Sequence, residues 1–220
     1  MKIAVINGSS KGKSGNTNIM VSAFLKGAEE AGAETVNIFL AEKDIKHCSG
    51  CHSCWFKSPG QCVIKDDMME VLSAVGGANI IVLATPVYFE NISGMLKVFM
   101  DRMTMTGNPH SRKDVKEESG YIKPIEPQSP KVVMISSCGF SDRSEFQVVS
   151  LWINRVVSKM HTELVGEIYA TQGKLLRSEA EELQPIIAQY IHNLEEAGKE
   201  VAINMKISEE TNKLLEQFCI

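Results

Sequence analysis

The chain has 220 residues, 44% of them hydrophobic, with a formal net charge of −4 and a pI near 5.8. That length supports a sizeable core and a single domain over 1–220, and the acidic balance argues against a nucleic-acid surface. No apolar run reaches the ~20 residues that span a bilayer, and Met1 leads straight into a strand, so no signal peptide and no membrane partner are expected and the cytoplasm is the expected address.

The first element is the apolar run Lys2 to Ile6, broken at once by Asn7-Gly8-Ser9-Ser10 and then by Ser14-Gly15-Asn16-Thr17. Apolar residues then recur every three or four positions (Ile19, Met20, Ala23, Phe24, Gly27, Ala28), which predicts a helix over 17–31. A strand, a glycine- and serine-rich loop and a helix form a phosphate cradle, because loop amides, first-turn amides and the helix dipole converge on one spot. Hydroxyls of Ser9, Ser10, Ser14 and Thr17 add neutral donors. Gly8 stands one residue too near Gly12-Lys13-Ser14 for a P-loop, and the dinucleotide pattern G-x-G-x-x-G also fails. What remains suits a terminal phosphate monoester bound without Mg.

Glu34 to Leu40 alternates as a second strand, and a cysteine loop at 44–65 follows. Asp66-Asp67 precedes a helix that begins near Met68, acid at the end where it complements the dipole. Asn79 to Ala84 has no polar face and reads as a central parallel strand. A helix over 93–103 comes next, with Lys97, Asp101 and Arg102 expected to form helix-surface pairs and its methionines to pack in the core. The polar stretch 104–130 carries four of the seven prolines and reads either as a solvated excursion or as a lid or subunit contact. Strands at 131–136 and 162–170, helices at 144–160 and 178–199, and a last helix near 208–218 complete the pattern. Five strands alternating with helices predict an α/β fold with a doubly wound parallel sheet.

In such sheets ligands bind outside the carboxyl ends of the strands. After the third strand stand Thr85-Pro86-Val87-Tyr88-Phe89-Glu90-Asn91, where an aromatic pair at a strand end suits a planar ring. After the fourth, Ser136-Ser137-Cys138-Gly139-Phe140 is a small-residue turn that permits close backbone approach. Together the three loops would hold a phosphate at one end and a planar heterocycle at the other.

Cys48, Cys51, Cys54 and Cys62 have the spacing C-x2-C-x2-C-x7-C. Three thiolates two residues apart with a distant fourth suit one [4Fe–4S] cluster. Zinc, and free thiols or a labile disulfide, remain as alternatives. His47 and His52 are expected to face solvent, Cys138 to be a small turn residue, and Cys219 to be inert.

The phosphate loop, the turn Thr85-Pro86-Val87-Tyr88 and the run Leu96-Lys97-Val98-Phe99-Met100-Asp101-Arg102 resemble the flavodoxin-like NAD(P)H-dependent FMN reductase superfamily. Within it the cysteine motif is most similar to that of the iron–sulfur flavoprotein branch. The resemblance runs from residue 1 to about 170, with Lys11-Gly12-Lys13 departing from the Pro-Arg common after the first serine. It implies strand order 2-1-3-4-5, noncovalent FMN, and homodimers or dimer pairs that complete the flavin site. Ser9, Asn16 and Thr17 would then bind the phosphate, Pro86, Val87, Tyr88, Phe89 and Asn91 would line the ribityl chain and ring, and Gly139 would approach the ring. No catalytic side chain is expected, since the flavin carries the chemistry. The implied activity is hydride transfer from NAD(P)H through FMN to a quinone-like or other acceptor, directly or by way of a cluster. The alternative is an electron-transfer flavoprotein that shuttles electrons between protein partners.

Overall fold

The computed structural model describes residues 1–107 and 129–218. Most of the stretch expected as an excursion or lid, and Cys219, lie outside the described residues. Among the described residues, no helix is long and apolar enough to cross a membrane.

Five parallel strands form the sheet: β1 (Lys2–Asn7), β2 (Glu34–Phe39), β3 (Ile80–Tyr88), β5 (Lys131–Ser137) and β6 (Leu164–Ala170), in the order β2-β1-β3-β5-β6. This is the expected order. One correction concerns the strand count, because β4 (Asn91–Ile92) pairs antiparallel with the end of β3 and makes a sixth strand. Val87 lies opposite Ile92 and Tyr88 opposite Asn91, leaving Phe89 and Glu90 as a two-residue turn. Both have positive φ, 46° and 65°, as a type I′ hairpin turn requires. Neither is glycine, so the turn stores strain.

The central strands β1, β3 and β5 are apolar runs buried along most of their length, so they need a helical layer on both sides. On one side α1 (Asn16–Glu30), α6 (Gln184–Asn204) and α7 (Glu209–Glu216) bury Phe24, Tyr190, Leu194 and Leu215 against Val5, Val82 and Ile135. On the other, α3 (Met68–Val75), α4 (Gly94–Arg102) and α5 (Gln147–Lys159) bury Met68, Leu96, Phe99 and Ile153 against Ile6, Leu83 and Met134. A short helix, α2 (Ser53–Phe56), lies within the cysteine loop. The helix expected from 178 starts at Gln184 instead. Pro185 occupies its first turn, where a missing N–H costs nothing, and short 3-10 turns fill the residues before it.

Helices α1 and α6 cross at backbone contact. A Cβ on Gly27 would overlap the Glu195 carbonyl, and one on Gly198 would overlap the Phe24 carbonyl. Only a residue without a side chain lets two helices approach this closely. The crossing fixes where α1, and the loop before it, stand on the sheet.

Candidate functional site

The β1–α1 loop leaves the carboxyl end of the central strand and is fixed from several sides. Asn7 Oδ1 accepts from the Ser9 amide (3.1 Å), and Gly8 donates its amide to the Ala84 carbonyl (2.7 Å). Ser93, which also caps α4, donates its hydroxyl to the Gly8 carbonyl (2.6 Å). The Ser93 amide donates to Thr85 Oγ1 (2.9 Å), and Ser136 Oγ donates to the Thr85 carbonyl (2.7 Å). Thr17 Oγ1 pairs with Ser137 Oγ at 2.9 Å. These hydroxyls are buried, so the three loops following β1, β3 and β5 are bolted to one another by satisfied polar contacts.

Each expected phosphate residue has a definite place. Ser9 is buried, and a Cβ on Gly15 would come within 2.5 Å of its Oγ. Gly15 therefore stays bare so that the serine hydroxyl can stand over the start of α1. Gly15 is also the N-cap and offers no side-chain acceptor, and the first turn holds no acid. The Asn18 amide donates to the Gly15 carbonyl (3.1 Å), which leaves the amides of Asn16 and Thr17 for a ligand. Ser14 Oγ donates to the Lys11 carbonyl (2.8 Å), and Ser10 Oγ pairs with the Tyr88 hydroxyl (3.0 Å). Thr17 points inward to Ser137, and Asn16 Oδ1 accepts from Arg177 Nε (3.0 Å). Arg177 was missed by sequence reasoning, since nothing local marks a contact across 161 positions.

On the ring side, Tyr88 and Phe89 are exposed and do not pack as core. Phe89 stands fully exposed at the strained hairpin tip. Pro86 and Val87 are half-buried beneath it, while Asn91 is exposed, its Oδ1 accepting from the Ile92 amide (2.8 Å). Ser137 pairs in register with Pro86, which brings the third loop beside the second. Gly139 and Phe140 are exposed there, and Gln172 donates its amide to the Phe140 carbonyl (2.8 Å). Cys138 is buried, and burial pushes its thiol up. Buried hydroxyls, bare amides and exposed aromatic faces on one rim fit a phosphate-bearing planar cofactor, with FMN as the simplest such group.

The cysteine loop is built otherwise. Cys48 and Cys51 are exposed, Cys54 and Cys62 half-buried, and all four are free thiols. His52 has φ 53° and stacks on Trp55 with centroids 4.8 Å apart. Trp55 donates its indole N–H to the Thr104 carbonyl (2.7 Å). The Ser53 hydroxyl and amide pull the Cys51 thiol down to about 7, whereas burial and then the charge of Cys62 raise Cys54. Among the described residues, no three His, Cys, Asp or Glu side chains converge as a group that could hold a metal ion. A [4Fe–4S] cluster or zinc does not fit the loop in this conformation.

Arg102 corrects the sequence reading. It is no helix-surface residue: its side chain and that of Asp66 are both 1% exposed and form an ion pair. Nη2 donates to Asp66 Oδ1 (3.2 Å), and Nη1 donates to Asp66 Oδ2 and to the Lys46 carbonyl (2.9 Å). The Lys46 amide in turn donates to Asp66 Oδ2 (2.9 Å), so the pair ties the two ends of the cysteine loop together. Burial alone would raise the Asp66 carboxyl, but Arg102 and the amides of Lys46 and Met68 hold it below its usual value. Lys97 and Asp101 do pair on the surface, as expected.

The comparisons with known proteins point the same way. The chain matches an iron–sulfur flavoprotein of Archaeoglobus fulgidus at 39% identity over 108 residues, 49% of this chain and 48% of the relative. An iron–sulfur flavoprotein of Methanocaldococcus jannaschii matches at 42% over 102 residues, 46% of this chain and 51% of the relative. The matched stretch spans about half the length of these curated relatives. Among solved structures, an FMN-dependent NADH-azoreductase from Bacillus anthracis, in complex with FMN, superposes with a TM-score of 0.65 at 18% identity. That match covers 91% of this chain and 99% of the other, and shows a shared fold. The family described as NADPH-dependent FMN reductase matches residues 1–174. The chain belongs to the NADPH-dependent FMN reductase family.

Proposed function

We propose that this chain is an FMN-dependent oxidoreductase that takes reducing equivalents from NADH or NADPH and delivers them to a quinone-like or other small acceptor. The observation that carries this reading is the start of α1. Its N-cap lacks a side-chain acceptor, its first turn lacks an acid, and the Ser9 hydroxyl stands over Gly15. Family membership supplies the cofactor class.

The residues at this rim divide the work. The loop amides at Asn16 and Thr17 and the Ser9 hydroxyl would hold the phosphate, while Ser10, Ser14 and Ser137 keep the loop in shape through the bonds described above. Pro86, Val87, Tyr88, Phe89 and Asn91 would wall the ribityl chain and ring, with Gly139 leaving room on the other side. Bound FMN supplies the hydride chemistry, and the chain supplies position and polarity. The exposed faces of Tyr88, Phe89 and Phe140 leave the rim open to a nicotinamide, an acceptor or a second copy of the chain, in keeping with a homodimer.

The test is titration of apoprotein with FMN, FAD and riboflavin, followed by anaerobic turnover with NADH and NADPH. Tightest binding of FMN and oxidation of at least one nicotinamide with a quinone are expected. FAD or riboflavin binding as tightly as FMN would remove the cofactor assignment. FMN binding without nicotinamide oxidation would instead favour a carrier between protein partners, the reading that the relatives' name suggests.

A further inference from the structure

Cys51-His52-Ser53-Cys54 is a C-x2-C step, and the short helix α2 begins inside it at Ser53. His52, with its left-handed φ of 53°, turns the chain into α2. Its carbonyl accepts from the amides of Trp55 (2.9 Å) and Phe56 (3.2 Å). Its ring stacks on Trp55, whose indole is anchored on the Thr104 carbonyl at 2.7 Å. The backbone between the two thiols is therefore set by contacts that neither sulfur makes.

The two thiols differ as an attacking and a resolving sulfur must. Cys51 is exposed, and the Ser53 hydroxyl and amide that lower its thiol belong to the residue next to Cys54. Cys54 is half-buried against the core on the α3–α5 side of the sheet, and burial raises it. A shielded thiol stays protonated until a neighbouring sulfur brings a disulfide to it. The other two cysteines fit these roles less well. Cys48 is exposed like Cys51, its Sγ accepts from the Gly50 amide (3.4 Å), and Gly50, at φ 64°, turns the chain between them. Cys62 lies on the returning arm of the loop, beside the buried Arg102.

We propose that Cys51 and Cys54 form a second redox site, a dithiol that reduces disulfides, with Cys51 as the attacking sulfur and Cys54 as the resolving one. This inference is independent of the FMN reading, and it asks two sulfurs to meet where a metal centre would ask for more. The Cys51 thiolate attacks one sulfur of a disulfide R–S–S–R′, forms a Cys51–S–S–R bond and expels R′–S−. Cys54 then attacks the Cys51 sulfur, releases its thiol proton and expels R–S−. Two electrons pass from the chain to the substrate. With the protons of Cys51 and Cys54 the substrate leaves as two thiols, and the chain keeps a Cys51–Cys54 disulfide.

The test incubates the reduced whole chain anaerobically with glutathione disulfide and, in a second arm, with insulin, and maps the products by mass spectrometry. Wild type is expected to end as a Cys51–Cys54 disulfide, lighter by its two thiol hydrogens and free of glutathione. Cys54→Ser should stop at a glutathione adduct on Cys51, and Cys51→Ser should react at least ~10-fold more slowly. Cys48→Ser and Cys62→Ser should behave as wild type. A thermal melt accompanies each variant, and Cys54→Ala replaces Cys54→Ser if the latter melts early. Reaction with glutathione disulfide alone marks a small-molecule substrate and reaction with insulin alone a protein disulfide; either supports the site. Reaction with neither overturns it. A wild type that keeps its adduct, or a product linked through Cys48 or Cys62, overturns it too, since Cys54 is then not the resolving sulfur. Iron and sulfide in the purified chain that are lost in both Cys51→Ser and Cys54→Ser also overturn it, because the two sulfurs are then ligands.

Discussion

The two loops that leave neighbouring strands β1 and β2 are held in opposite ways. The β1–α1 loop, the proposed phosphate loop, is fixed along its length, with Asn7, Gly8, Ser14 and Thr17 each bonded to a defined partner. The cysteine loop is fixed chiefly at its neck, where Arg102 and Asp66 join its ends through Lys46. Beyond the neck, Cys48 and Cys51 are exposed, the Trp55 indole reaches across to Thr104, and Cys54 and Cys62 pack half-buried against the core. The contrast separates a site built before its ligand arrives from a loop with room to rearrange between fixed ends. Preorganisation of the first kind raises affinity by lowering the cost of ordering on binding.

The largest effect should come from the neck. Replacing Arg102 by Met leaves Asp66 charged, buried and unpaired, and removing one partner of a buried pair costs about 3–5 kcal/mol. Urea unfolding should show that loss, together with faster alkylation of Cys54 and Cys62. A loss below ~1 kcal/mol would mean that the pair does not hold the loop. The same pair fixes a pH response. The folded-state value of Asp66 lies below its unfolded value, so its stabilisation is complete above the ordinary carboxylate range and fades as pH falls through the depressed value. Wild type should therefore lose stability in acid below about pH 3.9, and Asp66→Asn should lack that component.

Next in size is the helix crossing. Gly27→Ala forces a methyl into the Glu195 backbone, and overpacking of this kind costs about 1–3 kcal/mol. Because α1 carries the phosphate loop, FMN affinity should fall along with the melting temperature. A drop in stability with affinity untouched would show that the loop is held by its hydroxyl bonds alone.

Of the same order is Thr17→Val, which leaves Ser137 Oγ without its buried partner and should cost about 1–3 kcal/mol. Titration with FMN should detect the loosening of the third loop from the first. The smallest effect concerns rate only. Cys51 should alkylate with a midpoint near its value of about 7, well under the ordinary thiol's 9.0. Ser53→Ala should move that midpoint up, because the Ser53 hydroxyl is its main cause. A midpoint unmoved by that change would assign the lowering to the backbone instead.

What the sequence made legible follows the same division. The strands and the small-residue loop after β1 were readable because their signals are local: β-branched runs, small residues at the turn, and an apolar repeat begun at Ile19, whereas the strand order came from the family resemblance. The β4 hairpin was not, because Phe89-Glu90 lacks the glycine or asparagine that marks a type I′ turn, and the pairing of β4 with β3 holds it instead. Arg102 looked like a surface charge, since its partner Asp66 lies 36 positions away and pairing of that kind leaves no periodic trace. Arg177 was hidden for the same reason. Cysteine spacing showed what ligands exist but not whether the backbone brings the sulfurs together.

The crossing of α1 over α6 also sets an order of events in folding. The phosphate loop is complete as sequence by Thr17, yet its helix is seated by Gly198, 181 positions later and beyond the family-matched region that ends at residue 174. Contacts of such wide separation form late, after the cost of closing the long loop between them has been met. A segment synthesised well before its partner helix is thus among the last to reach its final position. A nascent chain should acquire tight flavin binding only after α6 has docked, in one late step rather than in proportion to its length.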